Sequence, residues 1–345
     1  MDIRKNIIII IVLLMTLCQS CRRDHLYYET IGRNIVQLDI DWSKTAFSPG
    51  SRDFDADNQL NGVTVFAFDS TTRQLVTEMP PNANWQTPQL RLPAGTYDLI
   101  VINDSRAELP AIHFDTTQPF DLFEAYTDED TIYTDYPDYL AVSAVRGVSF
   151  QPEQQDYYYD MPDSYYHDHI STEISTVQHS VTKKINIRVY VKGMNYCRGM
   201  QASYLSGLSK SVNLATMKSG TDKAVYAFNL VNREYLDNTY TEALLTQTFN
   251  SFGFSEENIK SGTRFELKLN FVLINNTIYT VTTDVTPQFE EWLEHHTIDL
   301  GLDLDLNIDI ALKVELPPTV DTPDDVGGMI PETIPWNDIT QDIIL

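Results

Sequence analysis

The chain has 345 residues, with 24 Lys and Arg against 49 Asp and Glu and a formal net charge of −25. That length accommodates about two domains of 100–200 residues, and 42% hydrophobic with 21% charged residues is the composition of a folded chain. The acid excess excludes nucleic acid as a partner, because phosphate binding rests on clustered Lys and Arg, and it excludes electrostatic docking on anionic lipid. Nineteen Tyr and fifteen Phe with 14 Gly indicate a β-rich body.

Residues 1–20 read as an export signal. Arg4 and Lys5 precede an apolar run, Ile7 to Leu17, broken only by Thr16. It is too short for a spanning helix, which takes about 20 residues, and fits a signal h-region. The following Leu17-Cys18-Gln19-Ser20-Cys21 resembles a bacterial lipoprotein box, with cleavage between Ser20 and Cys21 and acylation of Cys21. Cys18 and Gln19 depart from the usual residues there. Acylation at Cys21 supplies membrane attachment without any basic patch. Cys197 is then the one cysteine of the body, so no internal disulfide is expected.

Residues 21–34 form a tether. Val36, Leu38, Ile40 and Trp42 then alternate with polar residues, the mark of a half-buried strand over 35–42. Val63–Asp69 is apolar on both faces and predicts a central strand. Leu90–Asn103 reads as strand, tight turn at Pro93 and Gly95, strand. Residues 115–168 hold nine of the nineteen tyrosines and one basic residue, Arg146. Apart from a strand over 140–150, they read as long exposed connections.

A second β set opens at Val181, with Ile185, Ile187, Val189 and Val191 facing inward. Strands over 223–231, 263–274 and 277–285 follow, the last two joined by a two-residue turn at Asn275-Asn276. Thr286-Pro287 opens a short helix through Trp292, and 300–316 returns to strand alternation. The pattern is all-β: two sandwiches over 35–172 and 173–316. Residues 317–345 make a Pro/Asp-rich spacer and an apolar terminal strand.

Candidate chemistry is sparse. Asp53, Asp55 and Asp57 open like a calcium loop, but Asn58 and Thr64 stand where Gly and Glu are needed, so an acidic surface loop is the better reading. Asp299, Asp303, Asp305 and Asp309 alternate with Leu and Ile and so share the solvent face of one strand. His167, His169, His295 and His296 lack further ligands for zinc. No catalytic residue, metal site or cofactor is expected, nor an enzyme. Tyr157, Tyr158 and Tyr159 are either a platform for sugar rings or part of a loop covering a sheet edge.

The lipoprotein box, the Trp-ended strand Leu38–Trp42, Gly62–Asp69, Leu92-Pro-Ala-Gly-Thr-Tyr-Asp-Leu-Ile-Val-Ile-Asn103, His179–Val191 and the final Trp336 together resemble the fimbrillin-like lipoproteins of Bacteroidales. Within these, the chain is most similar to a branch related to the anchor subunits of type V pili. The resemblance implies two tandem transthyretin-like β-sandwiches and assembly with other fimbrillin-like subunits by β-strand augmentation. It implies an outer-membrane, cell-surface location through acylated Cys21. It also marks Arg52, in the loop after the first strand, as a candidate protease site, and Ile334, Trp336, Ile339 and Ile343 as a candidate donor strand. An anchor would retain residues 35–42 in its own groove. The reading from another class is a surface glycan-binding lipoprotein serving polysaccharide uptake, with Tyr157–Tyr159 as its contact.

Overall fold

The computed structural model describes residues 34–48, 60–128, 133–150, 170–295 and 308–318. In chain order the first half carries β1 (Asn34–Lys44), β2 (Val63–Asp69), β3 (Leu75–Asn82), β4 (Gln89–Leu92), β5 (Gly95–Asn103), β6 (His113–Phe114), β7 (Glu124–Tyr126), β8 (Ala141–Phe150) and β9 (Ile170–Ser180). The second half carries β10 (Lys183–Lys192), β11 (Cys197–Met200), β12 (Ser203–Ser209), β13 (Ser211–Asn213), β14 (Lys218–Ser219), β15 (Lys223–Phe228), β16 (Asn232–Tyr235), β17 (Glu242–Ser251), β18 (Glu266–Leu273), β19 (Ile278–Asp284) and β20 (Ile308–Glu315). Among the described residues two α-helices, Glu256–Lys260 and Thr286–His295, interrupt the strands of this half. The all-β class is as the sequence indicates.

The first sheet has seven strands in the order β3-β2-β5-β8-β9-β1-β4. Its β8 and β9 are joined only at Ala141↔Ser180 and Val142↔His179, so the sheet folds over on itself there. Residues of β1 and β4 thereby meet residues of β2, β5 and β8 across one core, where Val36, Leu38 and Ile40 pack with Val65, Leu99 and Val101. The run Val63–Asp69 is central as expected: Val63, Val65 and Ala67 face this core, while Phe66 and Phe68 face another.

That other core joins the two halves. Phe66, Phe68, Ile100 and Ile102 are covered by Phe114, Phe120 and Phe123, and by Val181, Val212, Leu214 and Phe252 from the second half. A four-stranded sheet, β14-β13-β7-β6, draws two strands from each half, with Val212 opposite Ala125. Residues 115–128 are therefore not an exposed connection: Phe120 and Phe123 are fully buried between the halves. The acids around them disguised a covering layer, because only one face of it is apolar.

The second half is a sandwich. One sheet runs β16-β17-β10-β20, and the other runs β11-β18-β12-β15 with β19 added on β18. Ile185, Ile187, Val189 and Val191 of β10 face Leu205, Leu267, Leu269 and Phe271 across the core. At one end Phe289 of the helix stacks on Phe265 with ring centroids 4.1 Å apart.

Two local expectations change, at the β18–β19 turn and at the 172/173 boundary. The strand, turn and strand of 90–103 are as the sequence reads, with partners that lie apart: β4 pairs with β1, and β5 with β2 and β8. The turn at Pro93 and Gly95 thus carries the chain from the sheet's edge to its centre. The β18–β19 hairpin closes through three residues, Ile274 to Asn276. Leu273 N–H donates to the Thr277 carbonyl at 2.8 Å, and Asn276 takes the left-handed conformation at φ 63°. Finally, a boundary at 172/173 would cut β9, which lies wholly in the seven-stranded sheet. Its exposed Thr172 and Glu173 concealed the strand's start.

Candidate functional site: the slot of the first strand

Strand β1 is flanked on both sides. It runs parallel to β9 from Ile35↔Ile170 to Asp41↔Val177, and antiparallel to β4 from Asn34↔Leu92 to Gln37↔Gln89. Where β4 ends, the ladder continues: Leu38 N–H donates to the Pro88 carbonyl at 3.0 Å, and Ile40 N–H to the Gln86 carbonyl at 2.9 Å. Val36, Leu38, Ile40 and Trp42 are buried, while Asp39 and Asp41 are exposed. Burial of four such side chains contributes about 1.5–3 kcal/mol each as an upper estimate. Their sum is comparable with the ~5–15 kcal/mol stability of a whole domain.

The far end of β1 is clamped by aromatic rings from three segments. Trp42 Nε1–H donates to the Trp85 carbonyl at 3.2 Å, and its ring meets Phe47 and Trp85 edge-on at 5.6 and 6.0 Å. Phe47 in turn meets Tyr139 at 5.2 Å, and Ala46 N–H donates to the Tyr139 hydroxyl at 2.8 Å. Thr45 closes the turn through its hydroxyl, which donates to the Trp42 carbonyl at 2.8 Å. No local pattern in the sequence marks this clamp, since its members lie far apart in the chain.

A charged network holds the covering layer on the face of β2 and β5 opposite the slot. Arg73, left-handed at φ 64°, forms ion pairs with buried Asp98 and with Asp121, and Arg146 reaches Asp121 at 2.9 Å. The two guanidinium carbons lie 5.1 and 4.6 Å from the Phe120 ring centroid. Arg73, and then Arg146, hold the Asp121 carboxyl below the usual carboxylate range. Asp98 also accepts from Gly147 N–H at 2.8 Å.

A second surface lies on the other half. Among the described residues β16 pairs only with β17, and it is bordered by exposed apolar residues: Val231 (68% exposed), Tyr235 (42%), Leu236 (47%) and Tyr240 (61%). The Tyr235 and Tyr240 rings meet edge-on at 4.9 Å. Between them, hydrogen bonds from the Thr239 and Thr241 hydroxyls pull the Asp237 carboxyl down to about 2. The edge of β15, by contrast, is covered: Thr134 N–H donates to the Val225 carbonyl at 3.0 Å and Ala227 N–H to the Thr134 carbonyl at 3.0 Å.

Of the residues singled out by sequence, Ser20, Cys21, Arg52, Tyr157, Tyr158, Tyr159, Ile334, Trp336, Ile339 and Ile343 lie outside the described residues, as do Asp53, Asp55, Asp57, His167, His169, His296, Asp299, Asp303 and Asp305. Asp309 is exposed and accepts from Asn186 Nδ2 at 3.1 Å, while Ile308 and Ile310 are buried, in keeping with the alternation. Cys197 is half-buried; burial pushes its thiol up, and Sγ donates to the Gly199 carbonyl at 3.0 Å. Among the described residues no group of three or more His, Cys, Asp or Glu is arranged to hold a metal ion.

The chain belongs to the family described as a domain of unknown function (DUF5119), whose model matches residues 20–229. No curated protein matches the sequence. Among solved structures, a candidate adhesin from Bacteroides ovatus is similar at 17% identity, over 85% of this chain and 93% of its own, with a TM-score of 0.52. A candidate adhesin from Bacteroides thetaiotaomicron is similar at 9% identity, over 84% of this chain and 93% of its own, with a TM-score of 0.50. The fimbrial anchor protein Mfa2 from Porphyromonas gingivalis is similar at 10% identity, over 82% and 90%, with a TM-score of 0.44. These are Bacteroidales proteins, as the resemblance implied.

Proposed function

We propose that this chain is a lipid-anchored, cell-surface subunit of a fimbrial assembly, in an anchor or accessory role, that keeps its first strand. Acylated Cys21 holds it to the outer membrane, and the C-terminal apolar strand engages the next subunit by β-augmentation. The observation that carries this reading is the seating of β1: paired on both flanks, with four buried side chains. A chain that fills its own slot has no vacancy to be completed by an incoming strand there. It therefore suits the start of a series, where the polypeptide must stay continuous from Cys21 to the body. The fold shared with candidate adhesins of Bacteroides supports a surface role.

The test is a pull-down from outer membranes through an internal affinity tag, with acyl labelling measured on the same material. The expected result is co-purification of other all-β subunits, lost in Trp336→Ala/Ile339→Ala, with the label at Cys21 retained. Recovery of the same subunits with the doubly substituted chain contradicts strand donation, and absence of label at Cys21 contradicts anchoring.

A further inference from the structure

Strand β16 overhangs the second sandwich. Arg233 and Tyr235 stand opposite Leu245 and Ala243, which are buried in the core, so their side chains leave the strand on the core side of the sheet. All four residues of β16 are nevertheless exposed, because the facing sheet stops short of them. Cys197, on β11 of that sheet, is near enough for the Arg233 charge to favour its thiolate. The strand is therefore a ledge, open on its core side and along its outer edge. Leu236 N–H donates to the Glu242 carbonyl of β17 at 2.9 Å, so by alternation the backbone groups of Arg233 and Tyr235 point outward.

At the end of the ledge stands Tyr240, in the left-handed conformation at φ 57°. That conformation is costly for a bulky side chain and falls ordinarily to Gly, Asn or Asp. Asp237 enforces it. Its Oδ1 accepts from the N–H groups of Thr241 at 2.9 Å and Glu242 at 3.1 Å, and its Oδ2 from the hydroxyls of Thr239 and Thr241. Four hydrogen bonds thus fix a strained residue whose ring stays largely exposed and meets Tyr235 edge-on. Burial does not explain the placement of this ring. Backbone strain maintained to present an exposed aromatic side chain points to a contact site.

We propose that the corner of Tyr235 and Tyr240 binds a neutral glycan, stacking on a pyranose ring whose hydroxyls are equatorial, as in β-linked glucose. Such a ring turns only C–H groups to its faces, and these carry the partial positive charge that an aromatic face attracts. Its hydroxyls project sideways, toward the Arg233 guanidinium and the outward backbone groups of Arg233 and Tyr235, which supply both donors and acceptors. Arg233 Nη1 donates to the Tyr235 hydroxyl at 3.2 Å, which holds the guanidinium beside the ring. The formal charge of −25 sets the surface against uronate, sialate or sulfated sugars. A quaternary ammonium would need a gap between the rings, and at a centroid distance of 4.9 Å they are already in contact. The site does not involve Tyr157–Tyr159, and it is independent of the anchor reading.

Saturation-transfer NMR on the purified chain tests it, with cellohexaose as the probe and hexagalacturonate as the acidic counterpart. The expected result is transfer to the C–H protons of cellohexaose and none to hexagalacturonate. Tyr240→Gly is the decisive variant, because it relieves the left-handed strain. Its melting temperature should hold or rise, while its affinity for cellohexaose falls roughly 5–10-fold. Tyr235→Ala, on the exposed strand, should weaken binding likewise, and Tyr240→Phe, which keeps the stacking face, should bind as the parent chain does. Absence of transfer to cellohexaose overturns the proposal, as does binding left unchanged in Tyr240→Gly and Tyr235→Ala. Equal or stronger binding of hexagalacturonate overturns it too, by assigning the site to an anion at Arg233.

Discussion

The backbone N–H of Leu38 donates to the carbonyl of Pro88 at 3.0 Å, one residue before β4 begins. Through this bond and its neighbour at Ile40, the first strand is held against the β4 side beyond the formal strand pairs. On its other flank it is paired with β9, so β1 is an interior strand of its sheet. Seating of this kind resists removal far more than an edge strand would. Leu38→Ala, which leaves the ladder intact but empties the core position, is expected to cost about 2–5 kcal/mol. Urea denaturation checks it; a loss within error of zero would show that the slot is loosely filled.

The two halves should unfold together. Phe252 of the second half is fully buried in the core it shares with Phe66 and Phe68 of the first. Phe252→Ala should cost about 3–5 kcal/mol and lower a single calorimetric transition. Two transitions, of which only one moves, would show independent halves.

The Arg73–Asp98 pair pins the covering layer. Asp98 is 2% exposed and also accepts from Gly147 N–H. Asp98→Ala leaves the Gly147 N–H without its acceptor and Arg73 with Asp121 as its remaining partner, with an expected cost of about 1–3 kcal/mol. Asp98→Asn keeps the bond to Gly147 and should cost less. The two variants separate hydrogen bonding from charge in one set of denaturation curves, and equal losses would contradict a role for the bond.

Lys183 opens β10 on its inward face, with its ammonium 6.0 Å from the centroid of Trp292. Burial pulls its pKa from the ordinary 10.5 down to about 8. Below about pH 8 the amine is protonated in both folded and unfolded chains, and the full penalty of burying charge is present. Between 8 and 10.5 the unfolded chain holds the proton and the folded chain does not, so stability rises with pH. Lys183→Met should raise the denaturation midpoint at pH 7 and remove the rise between pH 7.5 and 9.5. Staying below 10 avoids the onset of tyrosine ionisation. An unchanged slope in the variant would assign the rise to another group.

Strand positions were legible wherever one face is apolar and the other polar. Val36–Trp42 and Ile185–Val191 show the alternation directly, and Val63–Asp69 announces a doubly buried strand because both faces are apolar. Partners were less legible. Nothing in residues 90–103 says that β4 crosses to β1 while β5 stays with β2, since pairing is decided by distant strands. Phe120 and Phe123 were hidden in an acidic stretch because burial needs only one face of a layer. The clamp at Trp42 and the open edge at β16 arise only when separate segments meet. The proposed anchoring rests on Ser20 and Cys21, read from the sequence alone: a small residue followed by a thiol after an apolar run.

The central claim is retention of the first strand in a lipid-anchored chain, and intact mass spectrometry of protein from native outer membranes tests it most directly. The expected mature chain begins at Cys21, carries the mass of attached acyl groups, and includes residues 35–42. A mature N-terminus at position 53, directly after Arg52, would contradict it, because the strand seated between β9 and β4 would then be cut from the body it completes.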